Sequence, residues 1–157
     1  MTVRVHLVRH AKAKNRAGWT EPDELRPLTK RGRREAAALA ELLRASAPAR
    51  LVSSPFVRCV QTFEPLAEAL DIAIETTELL AEGADGGGAL DLLLSLSRGG
   101  SVGCCTHGDV LYAVVRTVTT TGVRLDGPLD VPVASAWVLE VEGGQVVGGT
   151  FVERPSR

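Results

Sequence analysis

Three short, largely apolar segments, each followed by polar residues, constrain the fold of this chain more than any other feature. They are VRVHLV at 3–8, LVS at 51–53 and SVGCCT at 101–106. Each is shorter than an ordinary helix and is followed by a polar loop or a helical pattern, which is typical of buried strands. Strands that alternate with helices in this way predict a largely parallel sheet covered by helices.

Capping residues mark where the helices between these strands begin. Thr29 is a predicted N-cap, Ser54 precedes a proline suited to a first helical turn, and Asp109 is a third candidate cap. The predicted helices span about 29–46, 54–70, 89–97 and 109–120.

Two further patterns complete the predicted sheet. Residues 71–76 alternate as a short strand does, and Gly143-Gly144 separates strands at 134–142 and 145–152, which predicts a hairpin. We therefore expect an α/β fold with a mostly parallel central sheet, helices on both faces and an antiparallel C-terminal hairpin. With 157 residues, the chain is expected to form one domain, 1–157.

Composition excludes several classes of function. The net charge of −1 and an aromatic content of 4% argue against nucleic-acid and polybasic membrane-binding surfaces. The chain contains no apolar run of membrane-spanning length and no signal peptide at its start, so a cytoplasmic location is expected. The cysteines (Cys59, Cys104 and Cys105) lack zinc-site spacing and are interpreted as small buried hydrophobic residues.

Charged side chains gather where three of the predicted strands end. The first strand ends at Arg9-His10, the second leads to Arg58 one helical turn later, and the SVGCCT strand ends at His107. In an open α/β sheet, ligands bind beyond the carboxyl ends of the strands, so these four side chains are expected to converge.

This set of residue types suits phosphoryl transfer. Arginine matches the oxygens of a phosphate, and Arg58 would add its charge to a helix N-terminus. A histidine can attack phosphorus through an unprotonated ring nitrogen, and a second histidine can hydrogen-bond the phosphoryl oxygens. The pattern predicts a phosphohistidine intermediate and requires no metal or other cofactor.

Four ordered motifs, LVRHAKA, RPLTKRG, LVSSPFVRCVQT and THGD, resemble the histidine phosphatase superfamily along nearly the whole chain. The likeness is closest to the small SixA-type phosphohistidine phosphatases, and it extends to the phosphatase domain fused to some Nudix hydrolases that act on nucleotides. The resemblance implies a phosphoglycerate mutase-like fold. It also implies that His10 is the phosphorylated nucleophile and that Arg9, Arg58 and His107 bind the phosphoryl group.

The sequence departs from the family pattern in its first loop. The family's glycine after the nucleophile is Ala11 here, so the backbone there must suit alanine. Larger members carry an asparagine further along this loop. Asn15 lies one residue early, and Arg16 occupies the expected position.

A carboxylate after the third strand protonates the leaving group in many members of the family. Glu82 occupies a suitable place, with Glu78 and Asp85 as competitors. An alkoxide needs this proton more than an imidazole does, and the SixA-type enzymes lack an equivalent acid. Two substrate classes therefore remain open, phosphohistidine on a protein and small phosphate esters, anhydrides or nucleotides.

Other conspicuous residues have plainer interpretations. His6 lies in mid-strand and is predicted to be a hydrogen-bonded core or edge histidine. No arginine follows any cysteine at the six-residue spacing of cysteine phosphatases. The basic cluster 30–34 is interpreted as a solvated helix face, with docking of an acidic substrate as the alternative, and Trp19 is expected to pack within its loop.

Two rival functions remain. A mutase must exclude water under a lid, for which 157 residues leave little room. A non-catalytic module that binds phosphorylated ligands is the second, because a fold does not guarantee an activity. The sequence does not indicate the oligomeric state.

Overall fold

A computed structural model describes residues 1–155 as a six-stranded sheet with helices on both faces. The helices are α1 Lys30–Leu43, α2 Val57–Leu70, α3 Gly86–Ser97 and α4 Gly108–Thr120. The strands are β1 Val3–Arg9, β2 Arg50–Ser53, β3 Ile74–Thr76, β4 Val102–Thr106, β5 Ala136–Glu142 and β6 Gln145–Val152.

The strand order β3-β2-β4-β1-β5-β6 gives the predicted mixed sheet. The first four strands in this order are parallel, whereas β5 is antiparallel to β1, and β6 to β5. Gly143 and Gly144, with φ of 59° and 77°, join β5 to β6 in a left-handed conformation that glycine adopts without strain. The predicted fold class and hairpin are confirmed.

Two apolar cores lie on opposite faces of the sheet because successive residues of β1 alternate between them. Leu7 packs with Leu93 of α3 and Val114 of α4. On the other face, Val8 packs with Leu39 of α1 and Phe63 of α2. These two layers hold the carboxyl ends of β1, β2 and β4 in fixed positions.

Most helix starts differ from the predicted ones by a few residues, and the differences matter near the strand ends. Thr29 does cap α1, accepting a hydrogen bond from the Gly32 amide at 3.0 Å. However, α2 begins at Val57 rather than at Ser54, and His107, not Asp109, is the residue that precedes α4. The side chains of Ser54 and Asp109 take part in the site described below.

The long segment between β1 and α1 is irregular, as predicted, but contacts within the segment hold it together. Ala13 and Leu28 form an isolated antiparallel bridge, and 3₁₀ turns occupy Arg16–Gly18 and Asp23–Leu25. The Trp19 indole donates to the Pro22 carbonyl at 3.0 Å, so this side chain packs within the loop as expected.

None of the helices within residues 1–155 combines the length and apolar character needed to cross a membrane.

Candidate active site

The carboxyl ends of β1 and β4 meet at one cavity of about 600 Å³. Arg58 does not line this cavity itself but is bonded to Glu82, which does. His10 follows β1, His107 follows β4, and Arg58 lies in the first turn of α2, the helix after β2. The cavity is lined by residues of these strand ends, of the first loop and of the loop before α3: Arg9, His10, Lys12, Ala13, Lys14, Asn15, Arg16, Arg26, Glu82, His107, Gly108, Asp109 and Val133.

The His10 ring is held in one orientation by its own backbone. Its Nδ1 lies 2.8 Å from the Ala11 carbonyl oxygen, which can only accept, so Nδ1 carries the proton and Nε2 keeps a free lone pair. Burial lowers the pKa of His10 to about 3; the Ala11 carbonyl opposes this shift, and His107, Arg58 and Arg9 add to it. His10 is therefore neutral near pH 7.

The backbone after His10 accommodates alanine where the family pattern has glycine. Ala11 is fully buried, and it is not among the residues with positive φ. Its amide donates to Thr62 Oγ1 at 2.9 Å, and the Thr62 hydroxyl donates to the Arg58 carbonyl at 2.7 Å. These bonds fix the His10 loop to α2.

Arg9 lies against the beginning of α4. Its Nη1 donates to the Val131 carbonyl at 2.7 Å, while its buried Nε has no partner within residues 1–155. A Cβ at Gly108 would lie 3.0 Å from Arg9 Cζ. The glycine in the THGD motif thus allows the guanidinium to approach the backbone of α4 closely.

Arg58 is fully buried and is bonded to two carboxylates. Its Nη2 lies 3.0 Å from Asp23 Oδ2 and 2.8 Å from Glu82 Oε1, and its Nη1 donates to the Asp23 carbonyl at 2.9 Å. Hydrogen bonds from Arg26 and Arg58 outweigh desolvation and lower the pKa of Asp23. Asp23 gives no signal in the sequence, since it lies in an irregular loop 35 residues before Arg58.

His107 is oriented by Ser54, the residue that the sequence had assigned as a helix cap. Its Nε2 lies 2.8 Å from Ser54 Oγ, and its Nδ1 lies 3.6 Å from Glu82 Oε1. The Phe56 and His10 rings meet the His107 ring at centroid distances of 4.8 and 5.4 Å.

Glu82 is the carboxylate that reaches the cavity from the segment before α3. Besides its contacts with Arg58 and His107, its Oε1 lies 3.5 Å from Arg16 Nη2. The competitors lie elsewhere: Asp85 caps α3 through the Gly88 amide, and Glu78 lines a different, adjoining cavity.

Two hydrogen bonds hold the segment around Glu82 to the end of β4 and to the first turn of α4. Asp109 Oδ2 accepts from the Gly83 amide at 2.8 Å, and the Thr106 hydroxyl donates to the Leu80 carbonyl at 2.6 Å. The sequence predicts Asp109 as the cap of α4 and gives no signal for its contact with this loop. Asp109 instead fixes the backbone next to Glu82.

The remaining residues singled out in the sequence have different surroundings. Both ring nitrogens of His6 are buried without a partner in residues 1–155, so the prediction of a hydrogen-bonded histidine is wrong. Cys59 is fully buried, with Sγ 3.5 Å from His107 Nε2. In the basic cluster, Lys30, Arg31, Arg33 and Arg34 are exposed on α1. Asn15 and Arg16 both line the cavity.

Comparisons with known proteins agree with this architecture. A model of the histidine phosphatase superfamily (branch 1) matches residues 5–87. The 8-oxo-(d)GTP phosphatase of Mycolicibacterium smegmatis is 36% identical over 166 residues, which cover 98% of this chain and 49% of that protein. The chain thus spans about half the length of this curated relative.

Solved structures share the fold. The protein histidine phosphatase SixA, in complex with tungstate, has a TM-score of 0.73 at 25% identity, covering 94% of this chain and 93% of that chain. A mycobacterial glucosyl-3-phosphoglycerate phosphatase has a TM-score of 0.73 at 16% identity, covering 99% and 100%. The phosphoglycerate mutase-like fold implied by the motifs is confirmed, and the chain belongs to the histidine phosphatase superfamily, branch 1.

Proposed function

We propose that this phosphatase works through a phosphohistidine formed on Nε2 of His10. The hydrogen bond from His10 Nδ1 to the Ala11 carbonyl supports this mechanism, because it leaves a neutral nucleophile facing the cavity. In this scheme Nε2 attacks phosphorus, the bond to the leaving oxygen breaks, and water then hydrolyses the phosphohistidine and regenerates His10.

Arg9, Arg58 and His107 are proposed to bind the phosphoryl oxygens. The Arg9 guanidinium has further N–H donors besides the Nη1 group bonded to the Val131 carbonyl. His107 Nδ1 has no hydrogen-bond partner in residues 1–155. The Glu82 carboxylate accepts from Arg58 the same kind of hydrogen bond that a phosphate oxygen would accept. We expect an incoming phosphoryl group to replace it on Arg58.

Glu82, released from Arg58, is proposed to take up a proton, to deliver it to the leaving oxygen, and to recover one from the water that hydrolyses the phosphohistidine. Its tether through Gly83 and Asp109 keeps it at the mouth of the cavity, within 3.6 Å of His107 Nδ1. An acid in this position benefits an alkyl ester most, because an alkoxide is a poor leaving group without a proton, and it can also protonate the phosphate that leaves an anhydride. We therefore favour small phosphate esters or anhydrides, nucleotides among them, as substrates.

The nucleophile is tested by rapid-quench trapping with ³²P-labelled aryl phosphate. Wild type is expected to retain acid-labile, base-stable label, and His10→Ala is expected to retain none. Persistence of that label in His10→Ala contradicts the assignment. Competitive phosphate binding without turnover of any substrate supports the non-catalytic module instead.

Protein phosphohistidine is the second candidate substrate, favoured by the similarity to SixA. Glu82→Gln separates the two classes: hydrolysis of an alkyl phosphate should fall by about 10²-fold or more, while hydrolysis of a phosphohistidine peptide changes little. Asp85→Asn, which changes a helix-capping carboxylate outside the cavity, is the matched control. Equal alkyl-phosphate rates in wild type and Glu82→Gln remove Glu82 as the acid.

A further inference from the structure

The cavity is far more basic than the chain as a whole. The chain carries a net charge of −1, yet Arg9, Lys12, Lys14, Arg16 and Arg26 all line this cavity, where the only lining carboxylates among the described residues are those of Glu82 and Asp109. A volume of about 600 Å³ also lies well within the range of cavities that enclose a whole small molecule. The site therefore offers charge and space beyond what one phosphoryl group needs.

Lys12 and Lys14 stand on a rigid piece of backbone beside the nucleophile. The amides of Lys14 and Thr29 donate to the Pro27 and Lys12 carbonyls, respectively, on either side of the Ala13–Leu28 bridge. Ala13 is buried, whereas both lysines are exposed, as expected for alternating residues of an extended segment. The two lysines therefore project to the same side, at the edge of the cavity.

The close packing of this segment onto α1 shows how firmly it is held. A Cβ at Gly32 would lie 2.0 Å from the Lys12 carbonyl oxygen, so this glycine is required for the approach. The Lys12 amide also donates to Glu35 Oε1 at 2.9 Å, and Arg26 Nη1 donates to the Lys14 carbonyl at 2.6 Å. Packing and hydrogen bonds therefore hold the backbone that carries the two lysines.

The two lysine ammonium groups differ from Arg16 and Arg26, the other cations of the first loop that line the cavity, in having no ionic partner among residues 1–155. Arg26 is paired with Asp23 at 2.9 Å, and Arg16 lies 3.5 Å from both Asp23 and Glu82. Neither lysine has a carboxylate within 4.0 Å among residues 1–155. Their charge is therefore available to a ligand.

We propose that Lys12 and Lys14 form a subsite for a second phosphate joined to the one that is transferred, so that the substrate is a phosphoanhydride such as a nucleoside diphosphate. This inference rests on the proposed function. The terminal phosphoryl group passes to His10 Nε2 and its bond to the bridging oxygen breaks. The departing phosphate takes a proton from protonated Glu82. The Glu82 carboxylate then takes a proton from the water that attacks phosphorus, and the bond from phosphorus to His10 Nε2 breaks. Lysine suits this role because a mobile point charge follows a phosphate chain without a fixed bidentate geometry.

The experiment measures kcat and KM for a nucleoside diphosphate, the matching monophosphate, inorganic pyrophosphate and an aryl phosphate. In Lys12→Met/Lys14→Met, kcat/KM for the diphosphate should fall about 10- to 100-fold, mainly through KM, because two charge contacts are lost. The aryl phosphate should change less than about twofold, since its single phosphate does not reach the lysines. Lys30→Met, which removes an exposed charge of α1 outside the cavity, is the matched control.

The possible outcomes separate a failure of the lysine subsite from a failure of the proposed function. Equal losses for the diphosphate and the aryl phosphate, or no loss for either, overturn the subsite while leaving the phosphatase proposal intact. No hydrolysis of the aryl phosphate by wild type contradicts the proposed function itself. A loss shared by pyrophosphate and the nucleoside diphosphate supports recognition of the anhydride alone, and a loss confined to the nucleotide supports recognition of a diphosphate attached to a nucleoside.

Discussion

The middle and the carboxyl end of β1 each carry a buried histidine, and only one of them is placed for chemistry. His6 and His10 lie four residues apart on the same face and are 2% and 7% exposed. Burial is the largest cause of the lowered pKa in both. The difference is in their partners: His10 Nδ1 contacts a carbonyl oxygen, whereas neither nitrogen of His6 has a partner among the described residues.

The surroundings of the two histidines differ as much as their hydrogen bonds. His6 sits beside Gly103 and Val138 in the neighbouring strands and lines a cavity of about 320 Å³ near the end of α1. His10 lies where the chain leaves the sheet, beside loops and helix beginnings that bring in Arg58 and His107. A neutral buried histidine is thus not sufficient for an active site. It becomes a candidate nucleophile where a hydrogen bond orients its ring and cationic side chains lie beside it.

The largest expected effect separates the two histidines kinetically. His10→Gln should lower kcat by at least about 10⁴-fold, because it removes the proposed nucleophile. His6→Gln should leave kcat within about threefold, because His6 does not line the catalytic cavity. Steady-state hydrolysis of an aryl phosphate by folded variants measures both. A comparable loss in folded His6→Gln would show that His6 also contributes to catalysis.

Substitution of either of two glycines by alanine should have an effect of intermediate size, on activity in one case and on stability in the other. In Gly108→Ala the new methyl would press on Arg9 Cζ at 3.0 Å, so we expect kcat/KM to fall about 10- to 100-fold with little change in stability. In Gly103→Ala, opposite His6, the methyl would meet Leu51 Cδ2 at 2.9 Å. That overpacking should cost about 1–3 kcal/mol of unfolding free energy and leave kcat within about twofold.

Urea unfolding and kinetics on both glycine variants test this separation of effects. A stable, fully active Gly108→Ala enzyme would show that the close approach of Arg9 to α4 is unimportant for turnover.

The smallest expected effect is on the pH dependence of stability, in which the two histidines should behave alike. The pKa of each is lower in the folded chain than its ordinary value, so the unfolded chain takes up protons first as the pH falls below about 6.5. Stability is therefore full above that pH and declines below it. With a folded pKa of about 3, His10 alone should account for about 2 kcal/mol of lost unfolding free energy between pH 7 and pH 5.

Urea titrations at pH 7 and pH 5 measure this loss. It should shrink in both His10→Gln and His6→Gln, because each variant removes one of the titrating groups. The lowered pKa of Asp23 acts below this window, since its ordinary value is 3.8. An unchanged pH difference in His6→Gln would show that His6 takes up a proton as easily in the folded chain as in the unfolded one.

Sequence reasoning located the strands and the hairpin because their signals are local. Thr29 was identified correctly as a cap, since it needs only the amide of Gly32, three residues away. Ser54 and Asp109 carry the same kind of signal, yet Asp109 contacts Gly83, and Ser54 contacts His107 as well as the nearby Phe56 amide. A short polar side chain near a helix start cannot reveal, from its neighbours in sequence, which distant group it will meet.

The sequence by itself determined that Arg9, His10, Arg58 and His107 arrive together, because parallel strands deliver their carboxyl ends to one edge of a sheet. The tertiary structure decided which groups surround them. It brought Asp23 and Glu82 to the same guanidinium, gave His10 a carbonyl partner and left His6 without one. Those contacts depend on the approach of segments distant in sequence to within hydrogen-bonding distance, and local patterning carries no information about distances on that scale.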